Sequence, residues 1–337
     1  MNVAVVGATG AVGETILRLL EERNLPIGSL EPFATRERSA AVRFRGNALD
    51  VHAASDDALR GFDVVFFASG EDASERYAPA LLARGCVIID NSATFRMRHD
   101  VPLIVPEVNA HAVRADHRLF PVANCTAIVL STALRPVRDA AGLAIVRVAT
   151  YQAASGAGRA GLEEFLAQER AAASGDPEPK PSVFPRHLAR NVVPQVGEFD
   201  AQGWSGEERK IAAETRKLLD LPELAVSATA VRVPVRTAHS EAVFVETLRP
   251  VRIEELAYAF ETAAGVVYHR EAIVTPREVE GTDEVHVARL RRESVEPAGG
   301  EKGRHFAFWC VGDQLRRGAA TNAVAILELL LEKGYVA

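Results

Sequence analysis

The apolar positions of the first 130 residues fall into two textures, short unbroken runs and stretches in which they recur every three to four places. "NVAVVG" is too short for a helix and too continuous for a half-exposed strand, so it predicts a strand buried on both faces. "AVGETILRLLEER" follows, with Val12, Ile16, Leu19 and Leu20 on one helical face. "SLEPFAT", "FDVVFFAS", "CVIIDNS", "PLIVPEV" and "RLFPVAN" predict further strands, and "ERYAPALLARG" predicts a helix ending on Gly85. Strands alternating with helices imply right-handed crossovers and a parallel, doubly wound sheet.

The texture then changes. "LAIVRVATYQAAS" predicts a strand and "GRAGLEEFLAQERAAA" a helix. "SGDPEPKPSVFPRHLARN" has no period and many prolines, which predicts a long surface loop or lid over residues 171–190. "GEERKIAAETRKLLD" reads as an amphipathic helix. "AVSATAVRVPV", "HSEAVFVETL", "EVHVARLRR" and "HFAFWCVG" then predict strands in succession, hence a mostly antiparallel sheet in a second, α+β domain. "GAATNAVAILELLLEKG" closes with a helix that is apolar at Ala323, Ile326, Leu327, Leu330 and Leu331.

A length of 337 residues is consistent with two such domains. The net charge of −6 argues against a general nucleic-acid binder, and it means that any anionic ligand must be held by a few placed Arg or Lys residues. Cys86, Cys125 and Cys310 are too few and too far apart for a zinc or disulfide framework, so no metal is expected and a reducing cytoplasm is. The opening "MNVAVVGATG" carries no basic region or cleavage site, and no apolar run approaches the ~18 residues of a membrane helix, so no membrane attachment is expected.

"GATGAVG" adds chemistry to the first domain. Gly7, Gly10 and Gly13 stand between a buried strand and a helix, with Ala8, Thr9, Ala11 and Val12 completing the turn. Glycines there let backbone approach a pyrophosphate, whose charge rests on the helix N-terminus, as in a Rossmann-type dinucleotide fold. After the second strand the chain reads "FATRERSA". The hydroxyls of Thr35 and Ser39 and the guanidinium groups of Arg36 and Arg38 suit a 2′-phosphate, so NADP is expected over NAD, with Glu37 the one group against it.

In "LFPVANCTAIVL", Cys125 stands between an apolar run and a helical pattern. A thiol at a helix N-terminus is disposed to ionise, and the same amides can stabilise an oxyanion. Cys86 and Cys310 lie in strand patterns and read as packing residues. A thiolate beside a nicotinamide suggests attack on a carbonyl, hydride transfer and a thioester. "RVPVRTAHSEA" offers His239 as acid or base, with Arg232 seven residues earlier.

With these residues placed, the chain resembles the aspartate-β-semialdehyde dehydrogenase family along essentially its whole length. The resemblance rests on "VAVVGATGAVG", "DNSATFRM", "VPEVN", "NCT", "TYQAASGAG", "EERK" with "ETRKLL", "TAVRVPVRTAHSEAV" and "DQLRRGAATNAV" in that order. It implies that Cys125 is the nucleophile, His239 the general acid/base and Gln152 the glutamine that orients substrate or acyl group. It further implies Arg232 for the substrate's α-carboxylate, Glu207 (with Glu208 its immediate neighbour) for the amino group, and Arg96, Lys210 and Asn124 for phosphate. Ser155, Gly156, Gly158, Gln314 and Asn322 would lie on the cofactor side.

The same resemblance implies a glyceraldehyde-3-phosphate dehydrogenase-like second domain. It implies an NADP-binding domain of residues 1–127 plus a returning helix in 315–337, and a catalytic and dimerisation domain of 128–314, in a homodimer. The implied reaction is reductive dephosphorylation of L-4-aspartyl phosphate by NADPH, a step toward diaminopimelate, lysine, threonine and methionine. An enzyme acting on N-acetylglutamyl phosphate and a silent NADP-binding homologue are the alternatives. Departures from the family pattern are Ala123 where proline is frequent, and Arg316 and Arg317 before "GAA".

Overall fold

A computed structural model describes residues 1–36, 39–294 and 303–336, so Arg38 lies outside the described residues. The chain divides into two compact units, Met1–Asn124 with Gly318–Ala337, and Cys125–Arg317. Among the described residues no helix is long and apolar enough to cross a membrane.

The first unit runs β1 (Asn2–Val6), α1 (Ala11–Glu22), β2 (Ser29–Ala34), β3 (Ala41–Phe44), β4 (Asn47–Asp50), β5 (His52–Ala53), β6 (Val64–Phe67), α2 (Glu71–Leu82), β7 (Val87–Asp90), the short α3 (Pro106–Asn109) and β8 (Leu119–Pro121). Its six-stranded sheet has the order β5-β2-β1-β6-β7-β8, and every pairing in it is parallel. The unbroken apolar runs are its centre: all four residues of β6 and of β7 are buried, as a parallel sheet covered on both faces requires. Strand order reverses between β1 and β6, the crevice where such sheets bind ligands.

Two features were not foreseen. The β2-to-β5 connection is a hairpin, β3 paired antiparallel with β4, whose turn residues Arg45 and Gly46 both have positive φ. "PLIVPEV", expected as a strand, forms no ladder. Leu103, Ile104 and Val105 are buried, but side chains satisfy their backbone: Asn109 Nδ2 donates to Leu103 O at 2.9 Å, Asn322 Nδ2 to Ile104 O at 2.9 Å, and Val105 N to Asn109 Oδ1 at 3.0 Å. The flanking prolines Pro102 and Pro106 have no N–H to offer a neighbouring strand.

The second unit contains α4 (Cys125–Ala141), β9 (Ile145–Gln152), α5 (Gly158–Ser174), α6 (Gly206–Leu219), β10 (Ala225–Arg232), β11 (His239–Glu246), α7 (Ile253–Glu261), β12 (Val266–His269), α8 (Pro276–Val279), β13 (Val285–Arg292) and β14 (His305–Gly312); α9 (Thr321–Glu332) belongs to the first unit. Its sheet has the order β10-β9-β11-β14-β13-β12. The three central pairings are antiparallel and the two outer ones parallel. Helix α4 lies close against β14: a Cβ on Gly312 would stand 2.6 Å from Val129 Cγ2, so any side chain there would force Val129 to shift.

Residues 175–190 carry no helix or strand, yet the second half of this stretch is not a free lid. The Glu164 carboxylate accepts from the amides of Ser182 and Val183, both at 2.7 Å, and Gln168 Oε1 accepts from Leu188 N at 2.7 Å. These bonds tie the segment to α5 and bury Phe184, Leu188 and Ala189. Periodicity could not show this anchoring, because it comes from polar side chains on a helix twenty residues away.

Candidate active site

In the second unit, one row of strand ends carries the chemistry. Arg232 ends β10 in register with Gln152, which ends β9, and His239 opens β11 in register with Gly312 of β14. Cys125 is the first residue of α4. It is partly exposed, whereas Cys86 and Cys310 are buried. Burial, and secondarily the charge of Asp63, pushes the Cys86 thiol up to about 12, and burial with the Glu241 charge raises Cys310 well above its ordinary range. Those two thiols are held protonated and inert. Cys125 has the amides of a helix start around it, the one environment of the three that favours a thiolate.

Four charged or polar side chains, Gln152, Thr126, Glu207 and Arg232, gather beside the thiol. Gln152 is 1 % exposed and donates from Nε2 to Thr126 Oγ1 at 2.5 Å and to Glu207 Oε1 at 2.8 Å. Thr126 Oγ1 is 3.9 Å from Cys125 Sγ. Arg232 is buried, and burial pulls its guanidinium below the usual range, while the charges of Glu207 and then Cys125 act to restore it. The cluster therefore joins a buried cation to a half-buried anion and a partly exposed nucleophile.

Ala153 holds two of these groups through its backbone. Its N–H donates to His239 Nδ1 at 3.1 Å, and its carbonyl accepts from Arg232 Nη1 at 2.7 Å. With Nδ1 committed as an acceptor, neutral His239 carries its proton on Nε2. That nitrogen is buried and has no hydrogen-bond partner among the described residues. Burial first and Arg232 second hold the His239 pKa well below its ordinary value. The expected acid/base is thus a neutral imidazole presenting an N–H. Gly156 lies against both groups: a Cβ there would come within 2.8 Å of Arg232 Nη1 and 2.9 Å of His239 Nε2. Phe184 covers the guanidinium, its ring centre 5.8 Å from Arg232 Cζ.

The adjacent acids of "EERK" separate cleanly. Glu208 closes a capping box with Ser205 at the start of α6 and accepts from Ala230 N at 2.9 Å, so its carboxylate is committed to structure. Glu207 faces Gln152. Lys210 is exposed on the same helix, with no hydrogen bond to the cluster. Ser155 is buried, donates to Arg236 O at 2.6 Å and accepts from Gln314, whose Oε1 in turn accepts from Ala238 N at 2.7 Å. Gly158 has φ +75° with open space where a side chain would be.

The remaining expected residues lie in the first unit. Gly7 has φ +88°, and a Cβ on it would stand 2.6 Å from Ala68 O; one on Gly13 would stand 2.2 Å from Gly7 O. The turn thus brings β1, the residue after β6 and α1 together at the crevice, and no side chain caps the helix start at Gly10. The amides of Ala11, Val12 and Gly13 are the first-turn donors that a helix leaves without internal partners. A bare, uncapped turn of this kind fits a pyrophosphate. Thr35, Arg36 and Ser39 are exposed just beyond β2.

Arg96 is buried and donates to Asn91 O at 2.9 Å; Asn124, also buried, ends the first segment of the unit. Buried Asp90, which motif reading passed over, shapes the loop bearing Arg96 by accepting from Ser74 Oγ at 2.8 Å, Ser92 N at 2.9 Å and Ser92 Oγ at 2.7 Å. Thr126 was legible as a hydroxyl beside the nucleophile in "NCT". Ala153 was not, since it acts through atoms every residue has.

A family model described as semialdehyde dehydrogenase, NAD binding domain, matches residues 2–116, and one described as semialdehyde dehydrogenase, dimerisation domain, matches residues 134–317. The chain is 39 % identical to an aspartate-semialdehyde dehydrogenase of Aquifex aeolicus over 99 % of each chain, and 36 % identical to one of Bacillus subtilis over 100 % of this chain and 99 % of the other. Among solved structures, aspartate semialdehyde dehydrogenase II of Vibrio cholerae complexed with ASA superposes with a TM-score of 0.92 at 37 % identity, covering 98 % of each chain.

Proposed function

The chain belongs to the aspartate-semialdehyde dehydrogenase family, and from that premise we propose that it catalyses the reversible, NADPH-dependent reductive dephosphorylation of L-4-aspartyl phosphate to L-aspartate 4-semialdehyde through a thioester on Cys125. The observation that carries this reading is the cluster of buried Arg232 and Gln152 with half-buried Glu207 beside a thiol at a helix N-terminus. It offers a guanidinium for a carboxylate, a carboxylate for an ammonium and a nucleophile for a side-chain carbonyl, which together describe an activated amino acid.

In the biosynthetic direction the Cys125 thiolate attacks the acyl carbon. The C–O bond to phosphate breaks, and phosphate departs with its electron pair. Phosphate binding is assigned to Arg96, Asn124 and Lys210. NADPH, when bound, supplies the hydride that reduces the thioester carbonyl. Collapse of the resulting adduct expels Cys125 as thiolate and leaves the aldehyde. His239 offers its Nε2–H to the oxygen that carries charge in both steps, and the one proton the reaction consumes is taken up by the departing phosphate. Gly7 to Gly13, Ser155, Gly156, Gly158, Gln314 and Asn322 are assigned to the dinucleotide, with Thr35, Arg36, Arg38 and Ser39 for its 2′-phosphate. The first unit then binds NADP and the second carries catalysis and dimerisation, in a cytoplasmic enzyme.

A substrate with a blocked amine, such as N-acetylglutamate semialdehyde, leaves Glu207 without an ammonium. Purified protein should turn over L-aspartate 4-semialdehyde, reducing NADP beyond one equivalent per site, only when phosphate or arsenate is present, and leave N-acetylglutamate semialdehyde unused. Turnover of neither aldehyde, with NADP binding intact, would sink the assignment.

Dimerisation is assigned to the open face of the second sheet, where Tyr151 and Phe244 are exposed and the Tyr151 and Trp309 rings meet at 5.3 Å. Light scattering should find twice the 36.3 kDa chain mass for the wild type and the single-chain mass for Phe244→Asp. A wild-type monomer, or a variant that stays paired, would contradict that surface.

A further inference from the structure

We infer that Thr126 is a positioning residue that, together with Glu207, fixes the polarity of the Gln152 amide, so that Gln152 reads the substrate's ammonium through its carbonyl oxygen. Gln152 has two amide hydrogens, and both are taken. Thr126 Oγ1 accepts one at 2.5 Å and Glu207 Oε1 the other at 2.8 Å. The reverse orientation would set Gln152 Oε1 against the Glu207 carboxylate, two acceptors in contact, so the amide cannot flip. The Thr126 hydroxyl itself donates toward Glu207 Oε1 at 3.4 Å, which leaves its lone pairs to receive Gln152.

What remains of Gln152 is Oε1, buried and without a hydrogen-bond partner among the described residues. A buried acceptor left so costs free energy until a ligand donates to it. A substrate group that donates there would satisfy it. On the functional reading proposed above, the ammonium is the group that Glu207 draws to this spot, and its three N–H bonds can serve both the carboxylate and the amide oxygen. An acyl oxygen cannot, since it too is an acceptor. Gln152 then recognises the amino group instead of polarising the carbonyl, held in that orientation by Thr126 and Glu207 together.

The test compares L-aspartate 4-semialdehyde with succinate semialdehyde, which lacks the amine, in full-length wild type, Thr126→Val, Thr126→Ser, Gln152→Leu and the Thr126→Val/Gln152→Leu double variant. An ammonium contact is made in ground state and transition state alike, so its loss falls on KM. Thr126→Val should raise KM for L-aspartate 4-semialdehyde about tenfold with kcat within about threefold, and leave KM for succinate semialdehyde within about twofold. Thr126→Ser should restore the wild-type values. The double variant should be no worse than Gln152→Leu, because the threonine acts through the glutamine. A fall in kcat with both aldehydes, or additive losses in the double variant, would overturn the inference. A wild type that turns over succinate semialdehyde as well as the amino aldehyde would overturn it too. A wild type inert toward both would instead remove the functional reading on which it rests.

Discussion

Cys125→Ala loses turnover by about 10⁴-fold or more while its NADP affinity stays within about twofold. The loss is this large because no second group can replace the sulfur. Cys86 and Cys310 are buried and held protonated, and neither opens a helix. Alanine is the best residue for a helix interior, so α4 persists, and the nucleotide turn of the first unit is untouched. NADP titration by fluorescence and steady-state assay of the same preparation check both halves. Retention of even a tenth of the wild-type rate would rule out the covalent route.

The second large effect separates two roles for one histidine. If His239 works as a fixed N–H donor, His239→Ala should lose about 10²- to 10³-fold in kcat, the usual cost of one oxyanion donor. His239→Asn retains an N–H and should recover most of that loss. A residue that had to carry a proton would lose equally in both variants.

The pH dependence follows from the same contacts. The folded-state pKa of His239 is depressed by burial and Arg232, below the ordinary value of about 6.5. Between the two values the unfolded chain binds the proton and the folded one does not, so stability is full above about pH 6.5 and falls as pH drops toward the folded pKa. Wild-type kcat should show no inflection from His239 between about pH 6.5 and 8. Thermal unfolding of wild type and His239→Asn across about pH 5–8 measures the stability part, and the variant should be less sensitive to acid.

How much of this was legible in the sequence depends on where the information resides. The strands at the centre of the first sheet announce themselves, because burial on both faces leaves unbroken runs such as "DVVFFA" and "CVIID". Cys125 could be placed because a helix pattern begins where it stands. "PLIVPEV" misled because burial and strand pairing are separate properties. Asn109 and Asn322 supply the hydrogen bonds that a ladder would have given. β12 escaped notice since "VVYH" is only half buried and short, so neither alternation nor a run stands out.

In the site, residue types were legible and assignments between neighbours were not. Glu207 and Glu208 differ only in that Ser205 and Ala230 N claim the second. The amide of Ala153 fixes the tautomer of His239, and no letter in the sequence records it.

The central claim is an acyl group on Cys125, and it can be seen directly. The protein is mixed with L-aspartate 4-semialdehyde and NADP, with phosphate withheld, then quenched in acid and mapped by mass spectrometry. The account predicts an aspartyl adduct on the peptide that carries Cys125, which disappears when phosphate is added before the quench. NADPH formed with no adduct at Cys125, or with the acyl group on the Cys86 or Cys310 peptide, would contradict it.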